Sequence, residues 1–432
     1  MQKPVEGFSK LTKSEKIAWI AKHCTSDPEN AKKVLAQYWN PDSALQQVHD
    51  EFIENTLTNY YLPFGVAPNF LVNDRLYALP MVIEESSVVA AASKAAKFWL
   101  SRGGFTTTIL GTEKVGQVHF IYTGDPKKLT PFFEGLQPKL LEETGSITQN
   151  MRKRGGGITA ITLRDKTADL EGYYQLHCTF ETLDAMGANF INSCLEQMAQ
   201  TLERAANEQG LPITILMSIL SNYVPNCVVR ASVACPIAST AKETEVSETF
   251  AHRMVQAVAI AKAEPYRAVT HNKGIMNGID ALVVATGNDF RAVEAGVHAY
   301  AARGGQYSSL THAEVVDGLF QFWIEVPLAL GTVGGLTALH PLVKLSLEML
   351  GNPSAQVLMQ LAAVAGLAQN FAALRSLVTT GIQKGHMKMH LFNLLNQLGA
   401  TPSEKEAVIA HFQERTAGHA SVKTYLEHIR TL

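Results

Sequence analysis

Hydrophobic and polar positions along this 432-residue chain change their period several times. Residues 9–60 carry apolar positions at helical spacing, and SKLTKSEKIAWIAKH offers Thr12 or Ser14 as an N-cap. ALPMVI, 78–83, reads as a strand. EESSVVAAASKAAKFWLSRGG, 84–104, reads as a helix rich in small residues and ended by Gly103 and Gly104. Alanine and serine at that density call for close packing, inside the chain or across a subunit contact.

From about 105 to 218 the texture changes. FTTTILG and VGQVHFIYTG are β-branched and alternating, and read as a strand pair. DPKKLTPFFEGLQPKLLEETG reads as a helix. GGGITAITLRD and GYYQLHCTFET read as two more strands, and DAMGANFINSCLEQMAQTLERAANEQG as a long amphipathic helix. This order predicts a small α+β domain with an antiparallel, ferredoxin-like sheet of the split β-α-β kind. It would be inserted into a larger, mostly helical domain that resumes near Pro212. From about Thr380 the chain becomes short helical pieces punctuated by glycine and capped at Thr401, a separate C-terminal helical flap. The domain reading is 1–108 and 219–378 for the large domain, 109–218 for the small one and 379–432 for the flap.

Composition narrows the choices. Charge is nearly balanced, with 37 Lys and Arg against 39 Asp and Glu, which argues against a nucleic-acid protein. At 46% hydrophobic the chain builds a large core. The N-terminus lacks a signal layout. The longest uncharged run, Gly351 to Leu374, contains Asn352, Pro353, Gln356, Gln360, Gln369 and Asn370, and reads as a buried helix and not a membrane span. Five scattered cysteines lack metal-ligand spacing, which argues against a zinc site or a disulfide framework and fits a reducing cytoplasm. No metal site is expected.

The common nucleotide signatures, GxGxxG after a strand and GxxxxGK[ST], are missing, as is HExxH. DAMGAN, 184–189, stands before a long helix, where free backbone N–H groups suit an anion. By itself that motif is better explained by Asp184 capping the helix. RGGGIT, with Gly155, Gly156 and Gly157, allows close backbone approach and is equally well a plain turn. Glu85 falls at a predicted helix start, where a carboxylate usually just favours the dipole. His386, in GIQKGHM, is a lone histidine on a small lobe, able to deliver a proton after closure. Lys273 and Asp289, in HNKGIMNGIDALVVATGND, resist the bland explanation. A lysine buried among small residues needs a partner. Such a Lys–Asp pair is either structural or a preorganised cation for an oxyanion.

The segments ENTLTNYYLPFGVAPNF, PMVIEESSVVAAASKAAK, DAMGAN, PYRAVTHNKGIMNGIDALVVATGNDFRAVEAGVHAYA, GTVGGLTALHP and TTGIQKGHMKMH occur in one order over almost the whole chain. In them the chain resembles the bacterial form (class II) of 3-hydroxy-3-methylglutaryl-coenzyme A reductase. The resemblance implies a two-step reduction of HMG-CoA to mevalonate and free coenzyme A by two NAD(P)H. It implies Lys273 stabilising the oxyanion, Asp289 holding that lysine, Glu85 donating a proton as the aldehyde is reduced, and His386 protonating the departing thiolate. It places Ser87, Arg267 and Asn277 near the hydroxymethylglutaryl group. It places Asp184, Met186, Gly187 and Asn189, with the glycine turn, at the dinucleotide, so that the small domain is a non-Rossmann nicotinamide domain. It also implies a homodimer with composite active sites, or an oligomer of such dimers, whose subunit contact the VVAAASKAA stretch would supply.

Two positions depart from the family. Ser86 stands where many relatives have proline. Ala160 stands where NADH-preferring relatives place an aspartate for the ribose, and with Arg152, Lys153 and Arg154 close by this leans toward NADPH over NADH. The same site would also run in reverse, oxidising mevalonate. A non-catalytic relative that binds coenzyme A thioesters is disfavoured, because all four catalytic positions are filled.

Overall fold

A computed structural model describes residues 4–238, 246–379, 391, 394–412 and 418–431. The chain mixes helix and sheet. It divides into two compact units, Met1–Pro63 and Phe64–Leu432.

The first unit is helical and lightly cored. Helix α1 (Lys13–Cys24) opens on a capping box in which Thr12 and Glu15 bond each other's backbone amides. Asp27 caps α2 (Pro28–Gln37) and Asp42 caps α3 (Ser43–Asp50). Polar side chains close the unit. Lys13 Nζ donates to Asp50 at 2.7 Å, and Gln46 bonds both Asp50 and Asn59.

The second unit begins with a hairpin, β1 (Phe64–Val72) and β2 (Arg75–Val82). Its turn residues, Asn73 and Asp74, both have positive φ, as a two-residue hairpin turn requires. Helix α4 (Val88–Leu100) follows, then the short strand β3 (Thr106–Ile109).

The four-stranded sheet comes next. Its strands are β4 (Lys114–Tyr122), β5 (Gly157–Asp165), β6 (Tyr173–Glu181) and β7 (Ile213–Ser221), in the order β5-β6-β4-β7 and antiparallel throughout. Helices α5 (Pro126–Glu143), α6 (Gly145–Arg152) and α7 (Ala188–Glu208) connect them. Its apolar core includes Phe120, Leu140, Leu176, Phe180, Leu195 and Met198.

Two expectations fail here. FTTTILG does not pair with the strand after it. β3 joins β8 (Val228–Ala238) instead, with Thr107 opposite Ala231. The chain crosses to the other sheet at 110–113, where the amides of Leu110 and Gly111 both donate to the carbonyl of Val228. A Cβ on Gly111 would meet the Asn226 carbonyl at 2.3 Å. The second failure is at Pro212. The large domain does not resume there, because Ile213–Ser221 is the fourth strand of the small sheet.

Beyond β8 come β9 (Val246–Ser247), α8 (Glu248–Ala263), α9 (Pro265–Ala285), α10 (Phe290–Ala301), β10 (Thr311–Val316) and β11 (Leu319–Pro327). Strands β10, β11, β8 and β3 are neighbours in that order, with β9 parallel to β8. This part is less helical than its sequence texture implied. Its hairpin signal is Asp317-Gly318, with both residues at positive φ.

Helices α11 (Pro341–Met349) and α12 (Ala355–Val378) complete the core. α12 is buried nearly all round, from Leu358 through Ala365 to Phe371 and Leu374, so it has no polar stripe. It is the one described helix long and apolar enough to cross a membrane, and most of it is buried inside the protein. Trp99 of α4, Phe320 of β11 and Phe371 form an aromatic cluster, with 5.0 Å between the Trp99 and Phe371 rings. The alanine-rich stretch is spent here too. Ala92, Ala95 and Ala96 are buried inside the chain, where α4 meets β1 and α12, while Ala90 and Lys94 on the other face are exposed. Near the C-terminus, α13 (Pro402–His411) and α14 (His419–Thr431) share a small core of Val408, Val422 and Leu426.

Candidate active site

The helix carrying Lys273 is fixed before Lys273 is reached. Glu264 caps α9 through the amides of Tyr266 and Arg267, and Pro265 occupies the first turn. One turn on, His271 Nε2 lies 2.6 Å from Thr311 Oγ1 and 3.0 Å from Ser309 Oγ. Asn272 donates to the Ser308 carbonyl at 2.9 Å and accepts from the Leu310 amide at 3.1 Å. Asn370 of α12 bonds Thr311 and the His271 carbonyl. Burial, with the Arg267 charge second, pushes His271 down to about 3, so it is neutral at ordinary pH. These bonds fix how α9 is rotated about its axis, and so where the next side chain points.

Lys273 Nζ donates to Glu85 Oε2 at 2.6 Å. Glu85 lies between β2 and α4, in a turn that ends at Ser87 with φ 77°. A left-handed serine is a strained conformation of the kind that clusters at functional sites. The predicted helix start at Glu85 shifts accordingly, since α4 begins at Val88. Nor is Lys273 buried within this chain. Its side chain is 60% exposed, and that of Glu85 39%. Of the glycines after it, Gly278 has a packing reason, while a Cβ on Gly274 would meet nothing within 4 Å. A Cβ on Gly278 would stand 2.3 Å from the Ala365 carbonyl, so the close contact of α9 with α12 requires glycine there.

Asp289 is elsewhere engaged. It caps α10 through the amides of Arg291 and Ala292, and its carboxylate pairs with the Arg291 side chain at 3.1 and 3.2 Å. Arg267 is half-buried, burial lowers the pKa of its guanidinium, and no partner bonds it among the described residues. Asn277 is half-buried on the same helix. His386 lies outside the described residues.

The DAMGAN segment holds a different kind of site. Asp184 does not cap α7. Its Oδ1 accepts from the Ala355 amide at the start of α12, 2.8 Å away, and its carbonyl accepts from Thr332. The cap position falls to Gly187, with φ 97° and no side-chain acceptor for the first-turn amides. Asn189 is exposed on that first turn, and Met186 lines a cleft beside it. The Gly155–Gly157 turn is needed structurally. Gly155 and Gly157 have positive φ, and a Cβ on Gly156 would stand 2.6 Å from the Glu181 carbonyl. Ala160 is exposed at a β-bulge of β5, an edge strand.

The sequence reading missed a half-buried acid. Asp280, two turns beyond Lys273, is pushed up to about 9 by burial first and by Glu294 second. Glu294 in turn pairs with His298, whose Nδ1 lies 2.7 Å from the Tyr307 hydroxyl. Its only signal in the sequence was a lone aspartate inside an apolar helical run.

A family model described as hydroxymethylglutaryl-coenzyme A reductase matches residues 13–391. The chain is 40% identical over 412 residues to the 3-hydroxy-3-methylglutaryl-coenzyme A reductase of Archaeoglobus fulgidus, covering 95% of this chain and 90% of that one. A solved structure of the reductase from Streptococcus pneumoniae superposes with a TM-score of 0.73 at 35% identity, over 98% of this chain and 99% of that one. A class II reductase structure from the same organism, bound to NADPH in open conformations, gives 0.72 at 35% identity, over 87% and 99%.

Proposed function

The chain belongs to the hydroxymethylglutaryl-coenzyme A reductase family, in its bacterial class II type, and from that membership we propose how its residues divide the work. The enzyme is an NAD(P)H-dependent oxidoreductase that reduces HMG-CoA to mevalonate and free coenzyme A, using two NAD(P)H and passing through a mevaldehyde-level intermediate. The observation that carries the assignment of residues is the 2.6 Å bond from Lys273 to Glu85, which joins a cation and a proton carrier from distant parts of the chain.

The start of α7 suits a dinucleotide. Its first-turn amides have no side-chain acceptor, and Arg152 and Arg154 stand exposed beside the glycine turn. Asp184, Met186, Gly187 and Asn189 belong to this site, and the absence of an acid at Ala160 favours NADPH. The sheet of β4 to β7, Lys114–Ser221, serves as the nicotinamide domain, the chain before it and from there to 378 as the substrate domain, and 379–432 as the flap. When bound, the nicotinamide supplies one hydride at each reduction.

Lys273 holds its ammonium at the substrate carbonyl and stabilises the charge that grows on the oxygen. Glu85 protonates the alcohol oxygen at the second reduction. His386 protonates the sulfur as the C–S bond breaks. Asp289 holds Lys273, a role that requires its carboxylate to turn from Arg291. Arg267 pairs with the free carboxylate of the substrate, with Ser87 and Asn277 beside it.

The exposure of Lys273 supports a second subunit covering it, because an oxyanion is best stabilised away from water. A row of exposed apolar residues, Val333, Leu336, Leu339, Leu342 and Leu345, supports a subunit contact. A cytoplasmic homodimer with composite sites follows from this reading. Co-expressing Lys273→Ala with Asn189→Ala tests it. Each alone is inactive, and equal amounts restore about a quarter of wild-type activity when chains pair freely. Inactive mixed dimers would sink the composite site.

A further inference from the structure

Lys114, the first residue of β4, is 4% exposed. Among the described residues no hydrogen bond or ion pair reaches its ammonium, and the neighbouring carboxylates are committed elsewhere. Glu113 accepts from Asn226 at 3.0 Å. Glu181 accepts from the Thr112 hydroxyl and, at 2.8 Å, from the Leu183 amide. A buried lysine without a partner is costly, so proteins rarely keep one that nothing uses.

Lys114 lines a cleft together with Met186, Ala188, Asn222 and Val293. Met186 and Ala188 flank the uncapped start of α7, a 21-residue helix whose N-terminal end carries positive potential. An ammonium and a helix N-terminus therefore border the same cleft. Two like potentials placed together favour an anion between them.

We propose that Lys114 is the counter-ion for the pyrophosphate of the bound nicotinamide dinucleotide, an inference that rests on the cofactor reading above. The pyrophosphate fits better than the 2′-phosphate of NADPH. Arg152 and Arg154 stand next to the start of β5, which is two strands from β4 in the sheet order, about 10 Å away. Cations at both places match a dinucleotide lying across that end of the sheet, with its ribose phosphate at the edge and its pyrophosphate at α7.

Calorimetric titration of wild type and Lys114→Met with NADPH, NADH and free coenzyme A tests this. Binding of both dinucleotides should weaken by about tenfold, as for loss of one hydrogen bond to a charged group. Coenzyme A binding should be unchanged, and Lys114→Arg should recover most of the loss. In turnover the cofactor KM should rise with kcat largely kept. Weakening of NADPH alone would make Lys114 a reader of the 2′-phosphate, and weakening of coenzyme A would place it on the thioester side. No change would leave it a structural lysine. Each of these three results overturns the proposal. Inorganic pyrophosphate should compete with NADH on the wild type, and absence of competition overturns the proposal even if Lys114→Met does not fold. If the wild type binds neither dinucleotide, the cofactor reading itself has failed.

Discussion

α7 and α9 are both 21 residues long, and they present their chemistry in opposite ways. α9 works through a side chain in its third turn, and buried polar bonds from His271 and Asn272 hold the helix just before it. α7 works through its end. It starts on a left-handed glycine, caps nothing with a side chain, and leaves its first amides for a ligand. The difference teaches that a group which must meet a growing charge needs a helix fixed in rotation. A group that cradles a standing charge needs only free backbone and the right approach.

The comparison is broken most severely at Lys273. Lys273→Ala should lower turnover by at least about a hundredfold, as loss of one oxyanion-stabilising group does. Because the side chain is exposed, unfolding free energy should move by less than about 0.5 kcal/mol. Steady-state rates and thermal melts check both halves, and a variant that keeps a tenth of wild-type turnover would remove Lys273 from the mechanism.

On the α7 side, Ala160→Asp should move preference from NADPH toward NADH by about tenfold, equivalent to one repulsive contact of ~1.4 kcal/mol. The ratio of kcat/KM for the two cofactors measures it. A wild type that already prefers NADH strongly would show that the bulge at Ala160 does not read the ribose.

The smallest effect concerns an acid of α9 itself. Asp280 is raised to about 9 from an ordinary value of 3.8, so the folded chain holds a proton that the unfolded chain releases above about pH 4. Stability from this group is therefore full below pH 4 and is lost as pH rises toward 9. Asp280→Asn, which cannot ionise, should raise the melting temperature at pH 8 by about 2 °C or more, with the gain vanishing near pH 4. An equal effect at both values would separate this acid from the stability of α9.

Much of the fold was legible because local signals were strong. Thr12, Asp27, Asp42 and Thr401 mark helix starts by chemistry any chain would use. Partnership was not legible. Thr106–Ile109 has the alternation of a strand, but alternation does not say which sheet it enters, and the crossing depends on the close approach at Gly111. The small-residue texture of α4 signalled close packing and left open whether the neighbour was internal. At the site, Lys273 stood out from its own surroundings and the resemblance gave it and Glu85 their roles, but their meeting is a distance only the folded chain supplies. Lys114 went unnoticed because a lysine at the start of an alternating strand looks solvent-facing, and burial is decided by the neighbours of β4. His271 and Asn272 went unremarked because their partners, Ser308 to Thr311 and Asn370, lie far away in sequence.

The all-round burial of α12 has a consequence during synthesis. As it leaves the ribosome, this helix offers no polar face, and to any factor that samples nascent chains it looks like a segment bound for a bilayer. Chain order answers the hazard, since α4, α8 and α9, which enclose much of it, have all been made before it appears. Moving α12 ahead of them by circular permutation would lose that protection while the chain is being made.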